Sequence, residues 1–86
     1  MARLYMIGGE VKNVFPANKE KGFTLKECYD LIGCELVELV RGKGYDYIVD
    51  EKGLLKQDPI VNIIPSLECG TQLVGNVLRC EPGEFQ

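Results

Sequence analysis

Thr24-Leu25-Lys26-Glu27-Cys28-Tyr29-Asp30-Leu31-Ile32-Gly33 is the stretch whose reading decides the fold class. Thr24 stands where a helix N-cap belongs, and Glu27 three residues later completes a capping box, in which each side chain satisfies a backbone N–H of the first turn. Leu25, Cys28, Tyr29 and Ile32 follow at i, i+3, i+4 and i+7 and share one face, while Lys26, Glu27 and Asp30 point away from it. Gly33 suits the left-handed residue that ends a helix. The pattern predicts a short amphipathic helix, which must bury its apolar face against another element.

The flanking segments read as strands. Toward the N-terminus, Leu4 to Ile7 and Val11 to Phe15 are β-rich runs, with Gly8-Gly9 placed to make a two-residue hairpin turn. No helix opens after those glycines and no Gly-Lys-Ser/Thr follows, so they do not read as a phosphate cradle. Toward the C-terminus, Glu35 to Arg41 and Tyr45 to Asp50 flank Gly42-Lys43-Gly44 and form an expected antiparallel pair. Glu51-Lys52-Gly53 supplies another turn, leaving Leu54-Leu55 to lie over the core.

Asn62 is the expected N-cap of a short helix from Ile63 to Cys69, ended by Gly70. Pro65 then falls at the third helical position, where a backbone N–H has no intrahelical partner and proline is tolerated. Leu73 to Cys80 completes the set as a last strand, with Gly75 marking a bulge or a close backbone approach. The expected fold is one α+β domain spanning residues 1–86, with an antiparallel or mixed sheet of about five strands. The main helix covers one face. The Leu54-Leu55 segment and the short helix, a twin subunit, or solvated side chains would shield the other.

A chain of 86 residues buries only about 60 to 65% of the surface its unfolded form exposes, so stability is modest and a partner subunit would add to it. Hydrophobic residues make up 45% and charged residues 27%, the composition of a folded globular domain. Five cations against Glu10 and Glu20 give residues 1–26 a charge of +3, and the total of −3 then puts −6 on the remainder. An acidic domain with one small lysine cluster is a poor fit to nucleic acid, whose affinity rests on phosphate contacts. No run approaches the roughly 20 apolar residues of a membrane span, and Met1-Ala2-Arg3 leads into too short an apolar run for a signal peptide. A cytoplasmic protein is expected.

Cys28, Cys34, Cys69 and Cys80 are widely spaced, with no Cys-x-x-Cys pair, and histidine is absent from the chain. That composition excludes Cys-His and Ser-His-Asp catalysis and gives no structural zinc signature. The cysteines read as small buried hydrophobes. No catalytic set, metal site or cofactor is expected.

The candidate ligand-binding residues are Lys19, Lys21 and Lys26, which would suit an anion or the acidic face of a partner, together with Asp50, Glu51 and Asn62. Each has a structural alternative. The lysines form a solvated loop, Asp50 and Glu51 close a strand, and Asn62 caps a helix.

Gly22-Phe23-Thr24-Leu25-Lys26-Glu27 and Leu31-Ile32-Gly33 around the main helix, then Asp50-Glu51-Lys52-Gly53-Leu54-Leu55, Asn62 and Val74-Gly75-Asn76-Val77-Leu78, follow a shared order and spacing. In that order the chain resembles a family of small phage- and plasmid-borne bacterial proteins catalogued as a domain of unknown function. It departs from the family pattern at Gly33-Cys34 and Pro65-Ser66. The resemblance implies a cytosolic protein of a mobile element or its host and assigns no catalytic residue. The leading functional expectation is a non-enzymatic binding or accessory protein that captures a host protein or a small molecule. The alternatives are a module that self-associates through a sheet edge, and a small metal-dependent hydrolase or nuclease using Asp50, Glu51 or Glu38.

Overall fold

The computed structural model describes residues 2–53 and 59–85. Its elements are β1 (Ala2–Tyr5), β2 (Val11–Val14), α1 (Leu25–Ile32), β3 (Val37–Arg41), β4 (Asp46–Asp50), α2 (Ile63–Cys69) and β5 (Val77–Cys80). The fold is α+β: one five-stranded antiparallel sheet in the order β2-β1-β5-β4-β3, with a main helix and a short second helix. Among the described residues β5 lies at the centre of the sheet, joining the β1-β2 hairpin to the β3-β4 pair.

Strand alternation divides the interior into two layers. Ala2, Leu4, Ile48, Leu78 and Cys80 face α1 and pack with Phe23, Cys28 and Ile32. Tyr5, Tyr47, Val49 and Val77 point to the opposite side, where they pack with Leu73. Among the described residues α2 lies on this second side, its Glu68 reaching Tyr5 and Tyr47. The expected Leu54-Leu55 cover falls outside the described residues.

The capping box forms as the sequence predicts. Glu27 N–H donates to Thr24 Oγ1 at 3.2 Å, and Thr24 N–H donates to Glu27 Oε1 at 3.0 Å. Gly33 closes the helix at φ 82°, its N–H donating to the Tyr29 carbonyl at 2.8 Å. The predicted apolar stripe is narrower than expected: Cys28 and Ile32 are buried, Tyr29 is partly buried and Leu25 is exposed. Leu25, the first residue of α1, thus lies off the buried face.

Every strand departs from the sequence reading at one limit or more, most of all β1, which runs Ala2–Tyr5 where the sequence predicts Leu4 to Ile7, and β5. The hairpin loop is three residues, Ile7-Gly8-Gly9, with Gly9 at φ 91° and its N–H donating to the Met6 carbonyl at 2.9 Å. β1 therefore stops at Tyr5, and Asn76 Oδ1 accepts the Ile7 N–H at 3.1 Å. At the other end β5 starts at Val77 instead of Leu73. Gly75 takes φ 78° and turns the chain, while Val74 forms a lone bridge with Val61.

Candidate functional site: the outward face of the second helix

α2 begins and ends where the sequence predicts, yet the chemistry of its two faces is inverted. Asn62 occupies the N-cap position, but its side chain makes no capping hydrogen bond. Its Nδ2 instead donates to the Tyr5 carbonyl at 2.9 Å and to the Gly75 carbonyl at 3.0 Å, and the residue is buried. This corrects the expectation of a side-chain cap. A buried carbonyl without a partner is expensive, and one carboxamide serves two of them.

Ser66 completes the attachment. Its Oγ accepts the Leu73 N–H at 2.7 Å and lies 2.7 Å from the Asn62 carbonyl, to which it donates. Asn62 N–H donates to the Leu73 carbonyl at 2.8 Å, and Gly75 N–H to the Ile60 carbonyl at 2.9 Å. Pro65 is buried beside these groups. The helix is thus fastened through polar atoms and a proline, where a usual amphipathic helix would present leucines.

Glu68 anchors the other end. Tyr5 Oη donates to both of its carboxylate oxygens at 3.2 Å, Tyr47 Oη donates to Oε1 at 3.4 Å, and Arg79 Nη1 reaches the same oxygen at 3.1 Å. The Arg79 guanidinium lies over the Tyr45 ring, 4.1 Å from its centroid. Burial, followed by the Glu68 charge, pushes the Tyr47 phenol up to about 12 despite the opposing Arg79 charge. At neutral pH Tyr47 is therefore a protonated hydrogen-bond donor. Tyr5, Tyr45, Tyr47, Glu68 and Arg79 form a tie between α2 and the sheet that the sequence reading missed. Its one local signal was Arg79 inside the apolar strand Val77-Leu78-Arg79-Cys80, a charge that demands a partner there.

With Asn62, Pro65 and Ser66 turned inward, the large side chains of α2 face outward. Leu67 is 78% exposed, Ile63 66% and Ile64 53%, and Ile60 and Val61 just before the helix are exposed as well. Ile7 from the β1-β2 loop joins them, because Met6, Ile7, Gly9, Val61, Asn62, Ile63 and Ile64 line one shallow groove of about 330 Å³. Among the described residues twelve large hydrophobic side chains are exposed. Five of them fall between Ile60 and Leu67, which makes this a contiguous patch and not a scatter of single residues.

The sequence-predicted site residues are dispersed. Lys19, Lys21 and Lys26 are all exposed. Lys19 borders a cleft with Phe15, Pro16, Glu81 and Glu84, and Lys21 and Lys26 stand outside it. Asp50 ends β4, where its Oδ1 accepts the Lys52 N–H at 2.9 Å. Asp50, Glu51 and Glu38 do border one cleft of about 220 Å³. Among the described residues, however, no group of three or more Cys, Asp or Glu side chains is placed to hold a metal ion. Asp50 also borders a second cleft of about 270 Å³, walled by Ile7, Ile60, Val74 and Asn76. Asn62 alone of the six lies within the α2 site, as a structural tie.

The buried thiols are held in the neutral form. Burial pushes Cys28 and Cys80 up to about 12, which removes them as nucleophiles at neutral pH. Among the described residues no helix is long and apolar enough to cross a membrane. Comparison of the chain with family models, curated proteins and solved structures finds no match.

Proposed function

We propose that this chain is a non-enzymatic binding protein, an accessory factor of a mobile genetic element, whose working surface is the outward face of α2. The observation that carries the reading is the inversion of that helix. Among the described residues the helix is fastened by Asn62, Ser66 and Glu68 together with the buried Pro65 and the partly buried Cys69, while Ile63, Ile64 and Leu67 stay exposed. Exposed apolar side chains of this size, grouped on one rigid element, are the anchors of a protein interface. The family resemblance read from the sequence supports the accessory role, and the protonated state of Tyr47, Cys28 and Cys80 weighs against nucleophilic chemistry.

Site-specific photo-crosslinking in a bacterial host tests the surface. A photoreactive amino acid installed at Leu67 is expected to give a discrete protein adduct, and the same group at the exposed Asp30 of α1, across the sheet from α2, is expected to give none. Equal, diffuse labelling from both positions would contradict the proposal.

A further inference from the structure

The stretch Pro59-Ile60-Val61-Asn62-Ile63-Ile64-Pro65-Ser66-Leu67 contains no Asp, Glu, Lys or Arg, and the next residue, Glu68, is exposed with its carboxylate engaged by Tyr5, Tyr47 and Arg79. The apolar side chains of the patch carry no charge of their own by which a foreign partner would be steered, and the Glu68 carboxylate at its edge is already matched by Arg79. A surface pairing with its own copy needs only self-complementarity and the absence of like-charge repulsion. The run from Pro59 to Leu67 meets the second condition.

Shape agrees with composition. Leu67 stands out as a ridge on the helix, and roughly one turn away the groove beside Ile7, Val61, Ile63 and Ile64 is open. Ridge and groove on one face are what a two-fold contact uses, because the ridge of each copy enters the groove of the other. Ile7, Ile60, Val61, Ile63, Ile64 and Leu67 are each 39% to 78% exposed, a group of large apolar side chains of the kind that forms the centre of a standard interface of roughly 800 Å² per side. Interfaces between identical chains are also the more apolar kind.

We infer that a second copy of this chain closes over the outward face of α2, the two helices meeting across a two-fold axis with each Leu67 in the other copy's groove. The inference rests on the reading of this face as the working surface and names its occupant. It differs from pairing through the edge strands β2 and β3, which would leave the α2 patch in water.

Sedimentation equilibrium of the purified chain at about 1 to 100 micromolar spans the range in which a small apolar interface dissociates. The wild type is expected to approach twice the chain mass. Leu67→Glu and Ile64→Glu, both at exposed positions, are expected to weaken association by about tenfold or more while the circular dichroism spectrum is unchanged. A dimer indifferent to both substitutions, as edge-strand pairing would give, overturns the inference. So does a wild-type chain that stays monomeric throughout. If that monomer still crosslinks to a different protein through Leu67, the α2 face stands as a binding surface and only the second copy is ruled out.

Discussion

α1 and α2 are alike in outline and opposite in construction. They have eight and seven residues, and each ends on a left-handed glycine, Gly33 at φ 82° and Gly70 at φ 80°. α1 turns Cys28 and Ile32 into the core and points Lys26, Glu27 and Asp30 to water. α2 turns Asn62, Pro65 and Ser66 inward and points Ile63, Ile64 and Leu67 to water. Removal of apolar surface from water holds the first helix in place, whereas the second combines a small apolar contact through Pro65 and Cys69 with hydrogen bonds to otherwise unsatisfied backbone groups. The side chains that would ordinarily stabilise a helix on its sheet are thereby left over in α2, and that surplus is the basis of the functional reading.

The sharpest way to break the comparison is to truncate one apolar side chain in each helix. Ile32→Ala should cost about 2 to 5 kcal/mol through lost burial and the cavity it leaves. Leu67→Ala, measured at concentrations where the chain is monomeric, should change stability by less than about 0.5 kcal/mol. Urea unfolding of both variants checks the pair, and similar losses would mean that α2 is held by apolar packing after all. Asn62→Ala comes next in size. It strips the Tyr5 and Gly75 carbonyls of their shared donor and should cost about 1 to 3 kcal/mol, although an alanine would be harmless at an ordinary exposed helix start.

Thr24→Ala is a smaller perturbation, about 1 kcal/mol, from loss of the side chain that caps α1. The matching pH dependence belongs to Glu27. Backbone donors at Ala17 and Thr24 hold its carboxyl below the usual range. Its contribution is therefore fully present above the ordinary carboxylate range and is lost as pH falls through the lowered value. Glu27→Ala should be less stable than wild type at neutral pH, and the gap should close as pH falls through the lowered value in the same urea series. No such acid-sensitive term is expected from the start of α2, where no carboxylate caps the helix.

The two helices also differ in how far the sequence could reveal them. Thr24, Glu27 and Gly33 act on neighbours within a few residues, so the boundaries and the apolar side of α1 were legible, apart from the exposed Leu25. The limits of α2 were legible for the same local reason, through Asn62, the tolerated Pro65 and Gly70. Its orientation was not. That depends on Asn62 reaching Tyr5, 57 residues away, and on Glu68 reaching Tyr5 at a separation of 63. Such partners leave no local pattern, and Ile63-Ile64 before Leu67 reads by default as an inward stripe. The charge-free run from Pro59 to Leu67 was the signal available, since a helix face with no solvating charge is either core or interface. Asp50 and Glu51 attracted attention as adjacent carboxylates, yet the strand end gives them a turn to close: Asp50 accepts the Lys52 N–H, and Glu51 N–H donates to the Leu36 carbonyl.

Side-chain footprinting of the purified wild-type chain across a dilution series tests the central claim most directly. Ile63, Ile64 and Leu67 should be protected progressively as concentration rises, while Phe15 and Leu25, exposed apolar residues away from α2, should be labelled equally at every concentration. Labelling of the three α2 residues that does not change with concentration, or protection that appears instead along β2 or β3, would contradict it.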